Sequence, residues 1–287
     1  MFFTATSTLF TFAGRQVGSM VVNRSRLLLA IVFLTIAHLA LGQPLPVNVE
    51  AGRWFWLGIS GIVGLVLGDA FLFQAFIWIG PRLSMLMMSL APILATLLAW
   101  LFLSEQLTSQ QVLGILITLL GVSWVIRERN GQQEKDLLDS RHYLLGILCG
   151  LGGATGQAAG LILAKKGLVG DFSALSGTLM RMLAAAVTLW LFTLLRGQAR
   201  FTLQQLASRP NASLFILGGA FAGPFLGVTL SLLAIQNTQV GIASTLMALP
   251  PVFLLPVGYF VFKERFGWQA ITGTALAMAG VGLLFLT

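Results

Sequence analysis

Ser89-Leu90-Ala91-Pro92, the apolar run that follows it as far as Ser104-Glu105-Gln106-Leu107, and a second apolar run carrying Gly114 and Gly121 make up the stretch from Arg82 to Ile126. The stretch recurs. Adding 159 to each number lands without a gap on Leu249 for Leu90, Pro251 for Pro92, Glu264 for Glu105, Gln269 for Gln110, Gly273 for Gly114 and Gly280 for Gly121. Upstream, Gly64, Leu67, Gly68 and Ala75 fall on Gly223, Leu226, Gly227 and Ala234 at the same offset. Leucine, glycine and alanine coincide often by chance in apolar segments, so the shared proline, glutamate and glutamine carry most of the weight. The chain reads as an internal duplication.

Composition limits what such a repeat can be. Hydrophobic residues make up 57% of the chain and charged residues 9%, with a mean hydropathy of +0.90, against about 25% charged in soluble domains. This predicts an all-α integral membrane protein. The net charge of +8 comes from basic residues placed mostly between apolar runs, a distribution suited to lipid headgroups and not to nucleic acid. The single Cys149 excludes an internal disulfide and reads as a small packing residue.

The spans follow one another at short intervals. Met1 to Ala13 is apolar, but about 20 residues are needed to cross a bilayer core of about 30 Å, and Gly14-Arg15 intervenes first. The expectation is a first helix lacking its front. Further spans are read at 26–41, 54–79, 82–103 and 109–126, completing a first half over 1–126. A polar linker covers 127–141, and a second half over 142–287 holds spans near 142–164, 173–195, 212–235, 240–262 and 268–286. Ten helices in two sets of five have a topological consequence: after an odd number of crossings the second set enters from the opposite side. The halves are then inverted repeats about an axis in the membrane plane, an architecture that places a substrate site near the midplane.

A Pro-bearing fourth helix, a short Glu-bearing loop (Ser104-Glu105-Gln106-Leu107-Thr108; Lys263-Glu264-Arg265-Phe266) and a Gly-x6-Gly fifth helix in each half resemble the EamA type of the drug/metabolite transporter superfamily. The resemblance covers essentially the whole chain. It implies a secondary transporter in the cell membrane, exporting a small metabolite or drug-like solute by alternating access, with possible coupling to a proton or other ion. It names no substrate and implies no cofactor. Two other readings stay open: a non-transporting membrane protein, either an intramembrane enzyme or an assembly scaffold, and a translocator of a lipid intermediate.

The candidate site residues are polar groups in apolar surroundings. Asp69 lies in the third span, within Leu67-Gly68-Asp69-Ala70, where a carboxylate costs at least ~2.5 kcal/mol on insertion scales. It is read as a proton- or cation-responsive group, with the structural alternative of a pair with Arg181. The second half has Val228 in its place. Arg181 sits about two turns inside its span and has its counterpart in Arg26. Either these arginines snorkel to the headgroups, or Arg181 forms a cationic wall for an acidic substrate group. Gln74 and Gln157 are read as polar cavity lining, with interhelical hydrogen bonding as the alternative. Pro92, Pro250 and Pro251 interrupt their helices and are either hinges or fixed bends. Glu105 and Glu264 lie at span ends, beside a Thr108–Gln111 capping box, and His38 is read as a packing residue.

Absences narrow the class further. No G-x4-G-K-[ST] loop is present, so the chain is not a P-loop ATPase, and the few His, Cys and acidic residues form no metal-ligand motif. Positive charge favours the connections after odd-numbered spans (Arg15, Arg82, Arg127, Arg141, Arg196) over those after even-numbered ones (Arg53, Lys165, Lys166). On the positive-inside rule both termini lie outside the cytoplasm, whereas the family resemblance implies that both lie inside.

Overall fold

A computed structural model of the chain describes residues 2–128, 140–250, 252 and 268–284. These are helical apart from short connections, and five of the longer helical runs are apolar enough to cross a bilayer: Ser19–Ala40, Ala51–Ala75, Tyr143–Gly167, Ala174–Leu195 and Pro210–Asn237. The elements in order are α1 (Phe2–Val17), α2 (Ser19–Ala40), α3 (Ala51–Gly61), a π-helical segment π1 (Ile62–Gly68), α4 (Asp69–Met88), α5 (Ala91–Leu103), α6 (Ser109–Glu128), α7 (Ser140–Gly167), α8 (Ala174–Leu195), α9 (Ala199–Ser208), α10 (Pro210–Ala220), a second π segment π2 (Phe221–Gly227), α11 (Val228–Asn237), α12 (Val240–Met247) and α13 (Trp268–Leu284). The protein is a multi-pass, all-helical membrane protein. The first helix runs on through Gly14-Arg15 but has only 16 residues, about 24 Å at 1.5 Å per residue.

Element boundaries recur at the displacements that relate the sequences. The starts of α3, π1, α6 and α4 are repeated 159 residues later by those of α10, π2, α13 and α11. In the second helix of each half, α2 and α8 have 22 residues apiece and are displaced by 155. The four-residue difference is absorbed by the connections: 41–50 is short, whereas 196–209 is four residues longer and contains the extra helix α9. Both π segments follow an eleven-residue helix. In π2 the wider turn contains Pro224, whose missing N–H would leave a gap in an α-helical ladder.

The described helices differ from the sequence expectation at the fourth spans. In the first half the helix continues through Gly80-Pro81 to Met88 and breaks at Ser89-Leu90, and in the second half α12 ends at Met247, ahead of Ala248-Leu249. The Gly-Pro pair is therefore not the end of the third span. The break falls where proline opens the next helix: Pro92 is in the first turn of α5, where an N–H would have no intrahelical acceptor anyway.

By contacts the chain divides into two compact units. The first comprises residues 1–69 and 163–237, and the second residues 70–162 and 238–287. In the first unit Leu27, Ala30 and Leu34 of α2 pack with Leu65 and Val66 of π1 and with Leu179, Met182, Ala185 and Leu189 of α8. Phe10, Ala13 and Val17 of α1 pack with Ala212 and Ile216 of α10. In the second unit α6 and α13 are in close contact through the repeated Gly-x6-Gly positions. A Cβ on Gly121 would meet the backbone of Gly273 and Ala277, and one on Gly280 would meet the backbone of Thr118 and Gly114. The contact is reciprocal: each half offers its second glycine to the other half's first.

Two helix starts in the second unit are closed by side chains. Thr108 and Gln111 form the expected capping box, with Thr108 N–H donating to Gln111 Oε1 at 3.0 Å and Gln111 N–H to Thr108 Oγ1 at 3.3 Å. Glu105 acts elsewhere: its Oε2 accepts the Val240 N–H at 2.8 Å, capping the start of α12. Glu264 lies outside the described residues.

Candidate functional site

The first unit contains a run of buried polar residues at the second turn of α2. Asn23, Arg24, Ser25 and Arg26 are all buried in succession, so this face cannot be explained as one side of an amphipathic helix. Arg24 turns toward α9, donating to Thr202 Oγ1 at 2.9 Å and to Gln198 Oε1, while its own carbonyl accepts the Trp190 indole N–H at 3.2 Å. Arg26 turns inward. Its Nη2 forms an ion pair with Asp69 Oδ2, and its Nε donates to Asn23 Oδ1 at 2.9 Å. Asp69 is the residue at which π1 returns to α-helix, and it is 5% exposed.

Arg181, on α8, is 2% exposed and interacts electrostatically with Asp69 without an ion-pair contact. Its Nε has no hydrogen-bond partner, and neither has Asn23 Nδ2. Its backbone lies directly against Gly61 of α3, where any side chain would collide with the Arg181 carbonyl. Antiparallel packing of α2 and α8 follows from two contacts near their opposite ends, His38 with Ser176 and Arg24 with Trp190. Arg26 and Arg181 are each the eighth residue of their helix, so each lies about 10 Å in from its own helix start at 1.5 Å per residue, and these starts are at opposite ends. Of these two buried arginines, Arg26 holds the one carboxylate in an ion pair and Arg181 does not.

The sequence-derived set is only partly brought together. The partner of Asp69 is Arg26 and not Arg181, which interacts with it only electrostatically, and Arg26 does not snorkel. The signal for Arg26 was its equivalence to Arg181, which periodicity alone does not pair with Asp69. Gln74 on α4 and Gln157 on α7 are half-buried and belong to the second unit. Pro92 and Pro250 lie just past the two helix breaks, and Pro251 lies outside the described residues. His38 is fully buried, its Nδ1–H donating to Leu34 O at 2.8 Å and its Nε2 accepting from Ser176 Oγ at 3.0 Å. Among the described residues no group of three His, Cys, Asp or Glu is placed to hold a metal.

Comparison with known proteins adds a family. The sequence profile of the EamA-like transporter family matches residues 1–127 and 144–286. A probable 4-amino-4-deoxy-L-arabinose-phosphoundecaprenol flippase subunit ArnE of Pseudomonas fluorescens is 37% identical over 90 residues, covering 31% of this chain and 73% of that protein. An uncharacterized membrane protein of Saccharomyces cerevisiae, YMR253C, is 28% identical over 142 residues, covering 46% of this chain. That match spans only 32% of the yeast protein. A solved structure titled only as the crystal structure of a protein superposes with a TM-score of 0.66 at 19% identity, covering 99% of this chain and 95% of its own. That similarity concerns the fold.

Proposed function

We propose, starting from the fact that this chain belongs to the EamA-like transporter family, that it is a secondary transporter exporting a small metabolite or drug-like solute by alternating access. The observation that carries this reading is the buried Arg26–Asp69 pair with Arg181 beside it, on three helices that are each apolar enough to span the membrane. Ionisable groups are expensive inside a bilayer and mark substrate or ion pathways. In this reading residues 1–126 and 142–287 are two inverted five-helix repeats joined by the linker at 127–141. The recurring helix boundaries and π segments support the duplication. The reciprocal contact between α6 and α13 supports a two-fold relation, because a patch that meets its own copy is the signature of such an axis. Asp69 is the proton- or cation-responsive group, Gln74 and Gln157 are polar lining, and Pro92, Pro250 and Pro251 are the hinges.

A second reading, translocation of a lipid-linked intermediate, is favoured by the similarity to the ArnE flippase subunit. One experiment separates the two. Bacteria expressing the protein, its Asp69→Asn variant at matched membrane level, or an empty vector are compared for solutes in the medium and for lipid-linked species in the membrane. Transport of a soluble solute predicts one compound accumulating outside with the parent protein only. A change confined to lipid-linked species selects the second reading, and profiles equal to the empty vector in a panel of hosts sink both.

A further inference from the structure

The two halves are unequal at their buried charges. Arg26 and Arg181 hold equivalent places in α2 and α8, and π1 and π2 are equivalent segments. The residue that follows π1 is Asp69, and the residue that follows π2 is Val228. Arg26 therefore has a carboxylate from the neighbouring helix, and Arg181 has an isopropyl group at the corresponding position. Val228 packs on the buried cluster that contains Leu179 and Met182, the residues that bracket Arg181 on α8. Arg181 is left 2% exposed with its Nε unpartnered.

A guanidinium removed from water requires an anion or a full set of acceptors, and its planar fork of donors matches a carboxylate or a phosphate in two-point contact. We propose that the transported molecule carries that group: an anionic carboxylate or phosphate binds Arg181, taking the place that a second aspartate would have if the halves were equal. The proposal deepens the transporter reading and rests on it. It also gives Asp69 a second role, since the aspartate holds Arg26 out of competition for the same anion.

Thermal unfolding of the purified full-length protein in phosphatidylcholine nanodiscs tests this at constant chloride. The probes are acetate, inorganic phosphate and dihexanoyl phosphatidic acid, with dihexanoyl phosphatidylcholine as the zwitterionic, net-neutral control. At least one anionic probe should raise the unfolding temperature saturably by several degrees in the parent protein, in Arg181→Lys and in Val228→Asn. In Arg181→Gln and Val228→Asp the half-saturating concentration should rise at least tenfold, in the first because the cation is gone and in the second because an internal carboxylate occupies it. A response to acetate or phosphate assigns the anion to a soluble solute, and a response to phosphatidic acid alone assigns it to a lipid headgroup. The proposal is overturned if no probe shifts the parent, or if Arg181→Gln and Val228→Asp respond as the parent does. Binding is read here without transport: an anion response with no exported compound removes the transporter reading and leaves the site, whereas export without any anion response does the reverse.

Discussion

At the scale of the residue, the decisive fact is that Asp69 and Arg26 neutralise each other inside the first unit. Removing one member of a buried pair strands the other charge, at a cost of about 3–5 kcal/mol, whereas removing both together costs far less. Arg26→Gln should therefore destabilise the protein by about 3–5 kcal/mol, and adding Asp69→Asn should recover most of the loss. Unfolding in mixed micelles, run as a double-mutant cycle, measures this coupling. Additive effects of the two substitutions would show that the pair does not stabilise the fold. Asp69 was legible from the sequence because a carboxylate in an apolar run has few explanations. Its partner was not, since Arg26 and Arg181 are alike in sequence context and choosing between them requires knowing which helix face meets α4.

Among the elements, the Gly-x6-Gly helices show how a small-residue pattern becomes a close contact. Gly121 and Gly280 meet backbone atoms of the facing helix, which cannot yield as a flexible side chain would. Gly121→Ala and Gly280→Ala should each destabilise by about 1–3 kcal/mol through overpacking, and by similar amounts because the contact is reciprocal. Gly282→Ala, on the same helix with open space at its Cβ, should be neutral or slightly stabilising. Unfolding midpoints of the three variants decide this, and an equal loss at Gly282, where helix propensity favours alanine, would count against overpacking as the cause. The π segments were invisible in the sequence. Both run seven residues although only π2 contains a proline, and no side-chain period records them.

For the whole molecule, the proposed inverted ten-span topology makes a prediction that can be read from outside. In the first unit, Gln43 Oε1 accepts the Ser173 hydroxyl at 3.2 Å and Arg53 donates to Gly167 O and Val169 O, so the connections around 43–50 and 168–173 share one end. Arg24 joins the start of α2 to α9 at the other end. Single cysteines at Val47 and Val169, in a Cys149→Ser background, should react with a membrane-impermeant maleimide from the same side. A cysteine at Leu203 should react only from the opposite side. All three positions are exposed, at 75%, 66% and 59%. Labelling of all three from one side would contradict the topology. The same experiment chooses between the charge bias and the family resemblance for the cytoplasmic face.

By itself the sequence determined the membrane class, the recurrence of residues at a displacement of 159, the polar residues worth suspecting and the Gly-x6-Gly pattern of α6 and α13. These follow from composition and from repetition, which a one-dimensional string records completely. Only the tertiary structure decided that Asp69 belongs to Arg26, that Arg181 is left without a carboxylate, and that the fourth spans break ahead of their prolines. Each depends on which helix faces lie together in space, and the energies that choose between faces come from contacts between residues as many as 213 positions apart.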